Sequence, residues 1–174
     1  YKREKQSEDE YATLERLALL LPQESLWRIK HKKDSVALKN MESKSLAANK
    51  LLAARSYETG LSQGTANDFR TAQSYYKVLL KFEPDGPESE VWRLRIAHCL
   101  YFSGRWAEAD ESYEAFKNSG KVDPVNLEVA FYQQCLSREK IWRSIFQSTY
   151  AQQVDPKVDP RIVESLQKLE RNVD

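Results

Sequence analysis

The sequence predicts an all-α fold of antiparallel helix pairs stacked side by side. Three observations carry this. The 174-residue chain is dominated by Ala, Leu, Glu, Lys, Gln and Arg, which lose least on entering a helix, and holds only 5 Gly and 6 Pro. Apolar residues recur at three- and four-residue steps, with no strand-like alternation of useful length. A pattern of four side chains, spaced three, four and three residues apart, occurs twice at an offset of 37 residues.

Residues 1–10, YKREKQSEDE, form a polar leader expected to fray or link. Tyr11, Leu14, Ala18 and Leu21 then mark one face of a helix, which Pro22 ends. A short amphipathic segment with Leu26, Trp27 and Ile29 runs into a basic cluster of Arg28, Lys30, His31, Lys32 and Lys33. Cations suit the last turn of a helix, and the same cluster would suit an acidic partner. Asp34 or Ser35 caps a long helix reaching about Leu61, so 11–45 is an N-terminal helical region and 46–153 carries the repeated pairs.

GLSQGTAND, residues 60–68, reads as a loop, after which Asn67 or Asp68 caps a helix from Phe69 to Phe82. EPDGPES, 83–89, is a turn. Ser89 opens a helix that stops at Gly104, a natural left-handed position. The next helix is RWAEADESYEAF, 105–116, and GKVDP, 120–124, punctuates again. Two helices are expected over 125–139 and 141–153, then a double proline break. Arg161–Asn172 is expected to form a capping helix within the closing segment 160–174.

The duplicated register is Phe69, Ala72, Tyr76 and Leu79 in one copy and Trp106, Ala109, Tyr113 and Phe116 in the other. A small residue between aromatics lets two helices approach closely while the ring fills the space beside it. Each copy ends near a proline, Pro84 or Pro124. The preceding helix carries Ile96, Ala97 and Leu100 before the second copy and Ala53, Ala54 and Tyr57 before the first.

This arrangement resembles the tetratricopeptide repeat family, whose unit of about 34 residues reads W-x2-L-G-x2-Y, then A-x3-F, then P. Ala72-x3-Tyr76 and Ala109-x3-Tyr113 match the A-x3-F element, and the resemblance is clearest over 46–124. The departures are Arg93 in the Trp slot, a lengthened first repeat and a degenerate last pair. The resemblance implies a short right-handed α-solenoid with helix pairs at 46–84, 89–124 and 125–153. It also implies a concave groove that holds a peptide or partner helix. Leu94, Arg95, His98, Tyr101 and Phe102 are its candidate lining, on a helix that is apolar around nearly its whole circumference. Leu94 and His98 stand where some members carry a Lys/Asn clamp for a C-terminal carboxylate, so that mode is not expected here.

The sequence offers little to catalysis. His98 and Cys99 are adjacent, so they diverge on a helix and make no nucleophile–base pair. His31 sits among lysines, and no His/Cys spacing suits zinc. Gly60 and Gly64 lack the strand and the Lys-Ser/Thr of a phosphate loop. The carboxylates spread over polar helix faces and read as solvated. Two cysteines exclude a disulfide-dense scaffold, and both read as buried thiols.

The formal net charge of +1 gives no field toward nucleic acid or lipid, and no apolar run approaches the length of a membrane span. The chain starts at Tyr1 rather than Met, as an excised domain or processed product would, which leaves room for an upstream anchor.

The expected function is a non-catalytic interaction or scaffold domain in water, cytoplasmic or the extramembrane part of an anchored protein. It is expected to bind a protein or peptide without cofactor, metal, nucleic acid or direct membrane insertion. The competing expectation is a structural solenoid segment of a larger, membrane-anchored assembly. Trp142 on the weaker last pair offers it an edge for a partner helix or a second copy.

Overall fold

The computed structural model describes residues 2–22, 25–119, 122–151 and 160–170, and every regular element among them is an α-helix. In chain order these are α1 (Lys2–Ala18), α2 (Leu26–Lys30), α3 (Ser35–Gln63), α4 (Ala66–Phe82), α5 (Ser89–Phe102), α6 (Trp106–Lys117), α7 (Pro124–Ala151) and α8 (Pro160–Glu170). They fall into two compact units, residues 1–92 and 93–174, with the boundary inside α5.

In the first unit α3 packs against both α1 and α4. Its small residues make this double contact close: Ala48 meets Ala18 of α1 beside Leu52, and Gly60 lies against the Phe69 ring of α4. Tyr11, Leu14, Leu17 and Tyr75 close around the first of these contacts. α1 and α3 run antiparallel. Asn49 Nδ2 donates to the carbonyls of Ala18 (3.2 Å) and Ser45 (2.8 Å), while further along α3 the Arg55 guanidinium lies over Tyr11. Asp34 caps α3, its carboxylate accepting from Ala37 N at 2.9 Å.

α3 ends later than the sequence suggests, so the loop expected over 60–68 shrinks to Gly64 and Thr65. Gly60 is a helical contact point rather than a breaker. Gly64, at φ 69°, supplies the left-handed stop, with its N–H donating to Gly60 O at 2.8 Å. Thr65, rather than Asn67 or Asp68, stands at the N-cap of α4, its hydroxyl paired with the Asp68 carboxylate. The polar leader of 1–10 is likewise helical from Lys2 onward, in keeping with its Lys, Arg, Glu and Gln content.

In the second unit α5 ends in a Schellman motif. Arg105 N donates to Leu100 O (2.9 Å) and Gly104 N to Tyr101 O (3.1 Å), with Gly104 at φ 80°. The chain then enters α6. α7 packs on α6 and on α8. Lys117 lies over Phe131, and Asp110 meets Arg138, so α6 and α7 are antiparallel.

The two helices expected over 125–139 and 141–153 are one continuous α7. Ser-Arg-Glu-Lys at the expected break holds neither Gly nor Pro, so nothing interrupts the ladder. The hairpin here is therefore α7 with α8, not a pair inside 125–153. Pro124 and Pro160 each occupy the first helical position, where a missing N–H costs nothing. Asp123 prepares α7, its carboxylate accepting from Val125 N at 2.9 Å. The double proline break and the residues beyond Glu170 lie outside the described residues.

Candidate functional site

The duplicated register sits inside. Phe69, Ala72, Tyr76 and Leu79 are buried in the first unit, and Ala109, Tyr113 and Phe116 in the second, with Trp106 half-buried. Accessible candidate residues lie elsewhere, some of them on α5.

The five candidates on α5 divide into two groups. Leu94 and His98 are buried and cannot face a partner. The His98 ring packs 5.8 Å from that of Tyr113 and 6.5 Å from that of Phe102, centroid to centroid. Burial, assisted by the positive field of Arg95, lowers its pKa to about 4, so the ring is neutral at physiological pH. Arg95 and Tyr101 are half-buried and Phe102 is exposed. The Tyr101 and Phe102 rings meet edge to face at 5.2 Å.

α7 adds two residues that the sequence alone does not single out. Burial first, then the fields of Glu139 and Tyr132, raises the Tyr101 pKa. Tyr132 is 62% exposed. Tyr132 and Glu139 stand seven residues apart, two turns along one helix face. That spacing is the signal from which they could have been read. The candidate side chains that keep some exposure are thus Arg95, Tyr101 and Phe102 on α5 and Tyr132 and Glu139 on α7.

A polar network joins α6, α7 and α8. Arg138 pairs with Asp110 at 2.7 Å and donates through Nη1 to Lys168 O at 2.7 Å. Gln134 Nε2 donates to Glu114 (2.8 Å) and to Asp110 O (3.3 Å). The Gln134 bond, followed by Lys117, holds the Glu114 carboxyl below its usual range. Asp110 is thus a buried, paired carboxylate rather than a solvated one.

Burial pushes the Cys99 thiol up to about 12, against the opposing field of Arg95, so it stays protonated and unreactive at neutral pH. Cys135 is half-buried. Among the described residues, no group of three His, Cys, Asp or Glu is placed to hold a metal, and no helix is long and apolar enough to cross a membrane.

The basic cluster is partly structural. Arg28 pairs with Glu42 of α3 at 2.6 Å and lies 5.9 Å from the Phe82 ring of α4. His31 stacks on Trp27 at 4.1 Å. Lys30, Lys32 and Lys33 remain exposed.

Compared with protein families, curated proteins and solved structures, the chain matches none.

Proposed function

We propose that this chain is a non-catalytic, tetratricopeptide-like binding module that takes a peptide or helix of a partner protein on the α5–α7 surface of its second unit. The observation that carries this is the set of aromatic side chains that keep exposure, Tyr101 and Phe102 on α5 and Tyr132 on α7, on helices that also carry the partly accessible charges Arg95 and Glu139. Aromatic anchors with few rotatable bonds, beside isolated charges, are the composition of binding hot spots. The repeat register and the antiparallel packing of sequence neighbours in each unit support the repeat reading. The lengths of α3 and α7, 29 and 28 residues, exceed what a repeat of about 34 residues allows a single helix, so the geometry departs from the family's.

The surface chemistry favours a ligand with one apolar or aromatic anchor and charges of both signs around it. The test is a selection of displayed peptides on the full chain, followed by titration of the winners. Tyr132→Ala and Tyr101→Ala should each weaken binding by roughly 2 kcal/mol while the unfolding midpoint of Tyr132→Ala stays unchanged. Peptides that bind both variants as well as the parent would remove this surface from consideration.

A further inference from the structure

The first unit carries an apolar corner that the described chain leaves open to water. Leu19 is 73% exposed and Leu26 80%, and Ile29 is exposed as well. Leu19 lies just past the end of α1 and the other two lie on α2, and described residues tie these two stretches together. The Ser25 hydroxyl donates to Leu20 O at 3.0 Å, and Arg28 Nη1 donates to Leu21 O at 3.5 Å. Leu26 and Ile29, three residues apart, share one side of α2. Trp27, half-buried and stacked on His31, sits between them in sequence.

Three lysines follow at once. Lys30, Lys32 and Lys33 are exposed, and no ion pair among the described residues holds them, whereas Arg28 is engaged by Glu42. Exposed leucines set beside uncommitted lysines and an indole have the chemistry of a bilayer interface. There apolar side chains reach the headgroup–acyl boundary and ammonium groups meet anionic lipid. A nucleic acid would engage the lysines but leave Leu19 and Leu26 in water.

We infer that this corner docks the protein reversibly on an anionic membrane surface. It is attachment in the headgroup layer, a different matter from spanning. It rests on other residues than the peptide surface of the second unit, so the two stand or fall separately.

The experiment is co-sedimentation of the full chain with phosphatidylcholine vesicles carrying about one-quarter phosphatidylserine, beside pure phosphatidylcholine vesicles and beside RNA and duplex DNA. The expected result is capture by the anionic vesicles that fades with salt. Each of Lys30→Ala, Lys32→Ala and Lys33→Ala should weaken it about five-fold. Leu26→Ser and Leu19→Ser should weaken it about ten-fold without any change of charge. Both leucines are exposed, so these variants should fold, and helical circular dichroism checks that they do. Absence of capture, or capture indifferent to the two leucines, overturns the inference. So does RNA or DNA binding that exceeds vesicle binding at the same salt.

Discussion

Arg138 and Asp110 meet at 2.7 Å with side chains that keep only 9% and 12% of their exposure. The same guanidinium donates to Lys168 O, so one α7 side chain binds α6 and the C-terminal turn of α8 together. A buried pair of this kind adds little net stability over a well-packed apolar pair, yet it is costly to break by halves, because the surviving charge is left without a partner.

Arg138→Ala should therefore destabilise the second unit by about 3–5 kcal/mol, read as a shift of the urea midpoint. Arg138→Met combined with Asp110→Leu should cost much less than the sum of the single changes. Arg138→Lys should rescue poorly, because an ammonium cannot hold the Asp110 carboxylate and the Lys168 carbonyl in the same fork geometry. A double-variant loss equal to the sum of the two single losses would show that packing, not the charge pair, dominates here.

Gly60 provides a second test. A Cβ there would stand 3.0 Å from the Phe69 ring, and Phe69 cannot easily withdraw, since it is buried edge-on against Tyr57 at 5.8 Å. Ala in place of a helical Gly ordinarily gains about 1 kcal/mol. Gly60→Ala should instead lose about 1 kcal/mol through overpacking, and Phe69→Leu in the same chain should restore the ordinary sign. A stabilised Gly60→Ala single variant would mean that α3 and α4 can shift apart freely.

Asn49 tests the α1–α3 seam. Its amide is almost completely buried and reaches Ala18 O near the end of α1. Asn49→Leu fits the volume but removes that donor, so it should cost about 1–3 kcal/mol. Hydrogen exchange should quicken in α1 before it does in α4. Uniform quickening across the first unit would contradict a local anchoring role.

These sites show which physics reads through a sequence and which does not. Helix content, the Asp34 cap and the Gly104 stop follow from local preferences, so they are legible in the residues themselves. Gly60 is not, because a close approach and a helix break look alike until the facing Phe69 is known. The continuity of α7 is legible in hindsight as the absence of any stop signal between Leu136 and Trp142. Asp110 reads as a surface carboxylate because its partner lies 28 residues away. On α5, an all-apolar circumference does not tell which strip is covered, and burial of Leu94 and His98 beside accessible Arg95, Tyr101 and Phe102 is settled by packing alone.

His98 gives a pH prediction whose sign follows from its burial. Its pKa falls from 6.5 to about 4, with desolvation the larger cause and Arg95 the smaller. Between those values the unfolded chain binds a proton that the folded ring refuses. Stability should therefore be flat with respect to this group above 6.5 and fall as pH drops through the window, by up to about 1.4 kcal/mol per pH unit. Unfolding by urea at about pH 7.5 and about pH 5 should differ by about 2 kcal/mol more in the parent than in His98→Gln. Arg95→Ala should make the parent's dependence shallower without abolishing it, because burial remains. An equal pH dependence in parent and His98→Gln would show that the ring takes its proton in the folded state as readily as in the unfolded one, and that the contacts with Tyr113 and Phe102 do not exclude water from it.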